Sequence, residues 1–193
     1  MSTANVLVTS KAIWYAMRAS GVVSLLLLSG VMVLGTATVG RWRPAGQPRF
    51  VTASLHRSLS LLAVVFVAVH VATALLDPYA AVGVASVVVP FAGAANAFWV
   101  GFGTVSLDLI AALIVTSLLR RHVPARVWRA VHWCAYLCWP VAVAHTLGLG
   151  SDTGALWLQT LTALCIAGVV VAVARRVTYV KHAKHLEPQE AAA

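Results

Sequence analysis

Four histidines stand inside apolar stretches at two nearly equal separations: His56 and His70 are fourteen residues apart, and His132 and His145 thirteen. At about 1.5 Å of rise per helical residue, either separation covers roughly 20 Å of helix axis. One histidine of each pair then lies toward each face of a hydrocarbon core about 30 Å thick. If the two helices run in the same direction, each level receives one imidazole from each of them. Two imidazoles at one depth are what six-coordinate haem iron needs above and below its ring. A zinc or copper transport site wants its ligands gathered at a single depth, often with carboxylate or thiolate help, and two levels fit that poorly. A metal transporter is therefore the weaker alternative, and a haem-free scaffold with incidental histidines weaker still.

The elements that carry these residues follow from composition. With 61% hydrophobic residues, 10% charged residues and a mean hydropathy of +0.88, the chain belongs in a bilayer. Its 193 residues have room for a handful of crossings of about 20 residues each, and no remaining segment is large enough for a soluble catalytic domain. The net charge of +9 sits in short basic clusters between apolar runs, where a positive-inside bias explains it, so nucleic acid is not expected as a partner. Cys134, Cys138 and Cys165 fall within apolar runs and read as small hydrophobes, not as a metal cluster.

Apolar periodicity predicts an all-α fold, an integral membrane helical bundle of about five transmembrane helices, over residues 13–39, 54–76, 98–119, 127–147 and 156–177. Residues 1–12 form an N-terminal segment, 13–177 the membrane domain and 178–193 a charged tail. The first span has no convincing cleavage site and reads as a retained helix. Residues 40–49, rich in Arg, Pro and Gly, read as a tight polar connection. Residues 77–97 contain Pro78 and Pro90 but no Lys or Arg, and are expected to form a cap at the membrane surface or a shallow re-entrant segment.

Twelve of the 14 basic residues flank one side of this five-span arrangement. They are Arg41, Arg43, Arg49 and Arg57, then Arg120, Arg121, Arg126 and Arg129, then Arg175, Arg176, Lys181 and Lys184. That side is expected to be cytoplasmic, with the C-terminus on it. The second and fourth spans then run the same way, His56 and His132 lie toward the cytoplasm, and His70 and His145 lie toward the outside. Lateral geometry is less complete. At about 100° per residue, fourteen residues return to within about 40° of the starting face, whereas thirteen fall about 140° short of whole turns. Pro140, between His132 and His145, is the candidate for a local rewinding.

The chain resembles the ferric reductase-like transmembrane domain shared by ferric reductases and NADPH oxidases. The residues that carry the resemblance are the four histidines, His56-Arg57 at a helix entrance, Thr116-Ser117-Leu118-Leu119 before a basic turn, and Trp128-Arg129-Ala130-Val131-His132 with Tyr136 after it. It covers roughly residues 14–176. It implies two b-type haems, with His56, His132, His70 and His145 as axial ligands of the iron. It also places Arg18 beside the outer haem, where a guanidinium could pair with a propionate. A snorkelling arginine at a helix end is the even alternative.

Two departures matter. Larger members carry six spans and a flavin and nicotinamide domain, and none is expected within this sequence, so FAD or FMN would enter only through a partner protein. Where the oxidases place a further histidine four residues after the outer ligand, this chain has Ala74, which weakens a superoxide-producing reading. His122, His182 and His185 read as solvated histidines. Asp108, the one acid in the middle of a span, reads as a neutral acid bonded to Ser106 or Thr104 in slight preference to a functional group. Trp128, Trp133 and Tyr136 read first as interface anchors.

The expected function is electron transport across a bacterial plasma membrane as an oxidoreductase component, with no catalytic side chain of its own. The donor would be a separate flavoprotein reductase or quinol on the cytoplasmic side, and the acceptor extracytoplasmic. The alternative is a quinol-linked haem subunit that supplies a periplasmic methionine sulfoxide reductase or a flavin-bearing partner.

Overall fold

The structure, a computed structural model, describes residues 3–39, 49–93, 96–149 and 154–190. Most of the expected connection at 40–49 lies outside the described residues. All regular structure among the described residues is helical: α1 (Thr3–Val39), α2 (Arg49–Leu76), α3 (Val84–Val88), α4 (Ala97–Leu118), α5 (Ala125–Trp133), α6 (Ala135–Leu149) and α7 (Leu156–Glu190). Among the described residues, four stretches are long and apolar enough to cross a membrane unaided: Ser10–Thr38, Phe50–Leu76, Ala97–Leu118 and Leu156–Tyr179. The expected fourth span is divided between two shorter helices, α5 and α6, and neither is among those four. The chain is a multi-pass helical membrane protein.

Helices α1 and α7 run through the expected boundaries at 12/13 and 177/178 without a break, because neither stretch holds a glycine or proline to end a helix there. Helix α1 packs along α2 and also against α7 and α6, while α4 packs on α6. The core lies where α1, α6 and α7 meet, around Leu25, Met32, Trp139, Val143, Cys165 and Val169. There the buried indole of Trp139 donates to Ser29 Oγ at 2.9 Å, fastening α6 to α1. Ser29 in turn donates to the Leu25 carbonyl, so a polar link in an apolar core is satisfied at both ends.

The break between α5 and α6 falls at Cys134, not at Pro140, which sits inside α6. Cys134 N–H bonds to Val131 O at 2.9 Å and Leu137 N–H to Cys134 O at 3.0 Å, both three residues back. Such bonds belong to the tighter 3₁₀ winding of about 120° per residue. The extra rotation of about 20° per residue works in the direction of the 140° shortfall between His132 and His145.

The segment after α2 folds back onto α4. Helix α3 packs on α4, where the Thr104 hydroxyl donates to Ser86 O at 2.6 Å and the Ser86 hydroxyl to Ala92 O at 2.7 Å. Phe91 lies against Gly101 and joins Phe98, Trp99 and Phe102 in an aromatic cluster.

Candidate functional site

The four histidines come together as two pairs. His56 of α2 and His132 of α5 have ring centres 6.4 Å apart, and His70 of α2 and His145 of α6 have centres 6.3 Å apart. Crossed pairing would need α2 to run against α5 and α6; the pairs formed require them to run parallel. The two levels stand roughly 21 Å apart along α2, from fourteen residues of helical rise.

The separations test whether a metal ion fits between the rings. A metal–imidazole bond of about 2.0–2.1 Å, added to about 1.1–1.2 Å from nitrogen to ring centre, sets two rings on opposite sides of one ion roughly 6.2–6.6 Å apart. Both pairs fall inside that interval, and they do so at two depths. The ring planes within each pair are inclined by 73° and 82°. Among the described residues, no three His, Cys, Asp or Glu side chains gather where they could hold a metal ion. The donor set is two separate imidazole pairs, which suits haem iron, whose other four positions are filled by its own macrocycle.

Three of the rings are oriented the same way. His70 Nδ1 lies 2.8 Å from Met17 O, His56 Nδ1 3.1 Å from Val31 O and His145 Nδ1 2.9 Å from Trp99 O. A carbonyl can only accept, so Nδ1 carries the proton and donates, and Nε2 keeps its lone pair for a metal. Hydrogen bonding of the second nitrogen is the usual companion of a ligating histidine, because it fixes the tautomer and raises ligand basicity. Each ring also rests against a glycine one turn after the accepting carbonyl: Gly21 under His70, Gly35 under His56 and Gly103 under His145.

His132 differs. Its buried Nδ1 has no hydrogen-bond partner. Its ring instead stacks on Trp128, with centres 4.7 Å apart and planes 18° apart, and the Arg120 guanidinium lies 4.0 Å over the indole. This end of the bundle also holds Arg57, Arg126 and Arg129, so the His56–His132 level is the one beside the basic clusters. Trp133 and Tyr136 take another part: the Arg176 guanidinium sits 5.0 Å over Trp133 and donates to the Tyr136 hydroxyl.

The remaining candidates fall as follows. Arg18 follows Met17, the acceptor for His70, and therefore stands at the His70–His145 level, with its guanidinium 4.0 Å over Trp14. Asp108 is exposed and does not bond Thr104 or Ser106, whose hydroxyls go to Ser86 O and to Cys138 O. Five residues of helix place it about 140° around α4 from Gly103, on the side away from α6. The glycines were missed from sequence. Their signal was available, since Gly21 and Gly35 share the fourteen-residue spacing of His70 and His56 on the antiparallel neighbour.

An open apolar cavity of about 390 Å³ lies between α1, α6 and α7, lined by Met32, Tyr136, Trp139, Pro140, Val169 and Val173 among others. Residues 20–143, more than half of the chain, match the family model described as ferric reductase like transmembrane component. No match is found among the curated proteins or among solved structures.

Proposed function

The chain belongs to the ferric reductase-like transmembrane family, and on that premise we propose that it is a b-type dihaem cytochrome, residues 13–177, that passes electrons across the membrane. The observation that carries this reading is the pair of imidazole separations, 6.4 Å and 6.3 Å, at two depths. His56 and His132 would hold the inner haem, and His70 and His145 the outer one. Haem, when bound, supplies a reversible one-electron change at iron.

The chain supplies position and burial. With two histidines to hold each haem, His56 with His132 and His70 with His145, the group would serve electron transfer in preference to direct attack on a bound molecule. The Nδ1 bonds hold three of the rings in the ligating tautomer. Arg18, at the level of His70, is suited to receive an outer propionate. By the positive-inside bias the His56–His132 level and the C-terminus would face the cytoplasm of a bacterial plasma membrane, and electrons would pass from a cytoplasmic-side donor to an extracytoplasmic acceptor.

For the donor, one observation favours quinol over a separate flavoprotein that would bring its own FAD or FMN. The apolar cavity lies at the inner half of the bundle, with Tyr136 on its wall one turn beyond His132, and a lipid-soluble donor would reach it from the side. The same arrangement serves a haem subunit of a periplasmic methionine sulfoxide reductase.

Purified protein in sealed vesicles tests the reading. With a reductant trapped inside and ferricyanide outside, vesicles holding the protein should reduce ferricyanide far faster than empty ones. Equal rates would refute it. Addition of a reduced quinone in place of the trapped reductant separates the two donors: haem reduction supports quinol, and no reduction supports the flavoprotein.

A further inference from the structure

We propose that Gly21, Gly35 and Gly103 are positioning residues, each a seat that lets one imidazole lie against a neighbouring helix and fixes the plane in which it meets iron. This inference rests on the haem reading above. Three independent repeats of one geometry carry it. In each, the ring packs on the backbone where a side chain is missing, and Nδ1 donates to the carbonyl four residues earlier: Met17 for Gly21, Val31 for Gly35 and Trp99 for Gly103. Two of the seats lie on α1 and serve α2. The third lies on α4 and serves α6.

The space is specific to glycine. A Cβ on Gly103 would stand 2.6 Å from His145 Cε1 and Nδ1, closer than any carbon approaches a ring without displacing it. On Gly21 it would stand 3.0 Å from the same two atoms of His70, and on Gly35 3.2 Å from His56 Cε1. The displacement forced on the ring therefore falls in the order Gly103, Gly21, Gly35. Moving the ring away from the seat also lengthens its Nδ1 bond, so orientation and ligand basicity change together. Gly168 of α7 provides the contrast, because a Cβ there meets nothing within 4 Å.

The seats have a spectroscopic consequence. Glycine seats on α1 and α4 meet the His70 and His145 rings, whose planes are inclined by 82°; the His56 and His132 planes are inclined by 73°. Near-perpendicular axial imidazoles leave the two π-type d orbitals of low-spin ferric iron almost degenerate. Such iron gives a highly anisotropic paramagnetic resonance signal, dominated by one low-field feature, where parallel planes give three resolved ones. His132 has no seat and keeps its orientation by stacking on Trp128, so only one ring of the inner pair answers to a glycine.

The test uses the full-length protein purified with haem, its haem-to-chain ratio, the low-spin ferric resonance and a redox titration. Gly103→Ala should bind one haem in place of two and keep the inner signal. Gly21→Ala should keep two haems with the outer signal and potential shifted, and Gly35→Ala should shift only the inner signal, by the smallest amount. Gly168→Ala should match the parent in every readout. Alanine is the better helix former, so these losses would come from the ring and not from the helix. Parent spectra from all three seat variants would overturn the inference, as would loss of both haems from any one of them. A parent protein without haem would instead overturn the functional reading beneath it.

Discussion

Replacing His70 by alanine should remove one haem and leave the other, and the structure sets how cleanly. The side chain contributes one half-buried hydrogen bond, from Nδ1 to Met17 O at 2.8 Å, and the net loss of such a bond costs about 0.5–1.5 kcal/mol. Met17 O remains inside α1, where the helix supplies its own donor. The bundle should therefore stay folded. The inner level stands roughly 21 Å away, well beyond the 7–10 Å or so over which substitutions couple. Haem per chain, measured as the pyridine haemochrome, should drop from two to one in His70→Ala and in His145→Ala. It should stay at one in the double variant, since the second loss strikes a site already empty. The combination of His70→Ala with His132→Ala should bind none, since it breaks both levels. The reasoning fails if His70→Ala with His145→Ala loses both haems, or if His70→Ala with His132→Ala still binds one.

Three further outcomes follow from particular contacts. Trp128→Ala removes the face on which His132 stacks; at about 0.5–1.5 kcal/mol for an aromatic pair, retention of the inner haem in a haem-competition assay should fall by up to about tenfold while the outer haem is unaffected. Ser29→Ala leaves the buried Trp139 indole without its acceptor, a cost of about 1–3 kcal/mol that should lower the thermal midpoint while both haem spectra stay at their parent positions. Asp108 lies on the face of α4 turned away from α6 and is exposed, so Asp108→Asn should leave both haem spectra and both potentials unchanged, and a shift in either would show that the acid reaches a haem.

Much of this arrangement is legible in the sequence. The depths of His56, His70, His132 and His145 depend only on helical rise, and rise is the same in every α-helix. The shared direction of α2 and the α5–α6 segment follows from the single span, α4, that lies between them, and the basic clusters add only which end faces inward. What escaped depends on how helices meet. The thirteen-residue separation of His132 and His145 looked out of phase because uniform winding was assumed, and Cys134, with its two short-range bonds, carries no residue-type signal for a 3₁₀ turn. Pro140, a helix breaker by residue type, is accommodated inside α6. Asp108 was paired with Ser106 and Thr104 by proximity in sequence, yet those hydroxyls find carbonyls on other elements. Gly21, Gly35 and Gly103 look like ordinary small residues until the antiparallel register of α1 on α2, and of α4 on α6, sets an imidazole over each one. Register between helices is a tertiary property, so the partner had to be known before the seat could be seen.

The most direct test of the account is the number and ligation of haems in the purified, full-length protein. Two protohaems per chain, both low-spin and both giving the anisotropic ferric resonance of inclined bis-imidazole ligation, are the predicted result. A ratio of one or none, or a high-spin ferric iron with a free axial position, would contradict it.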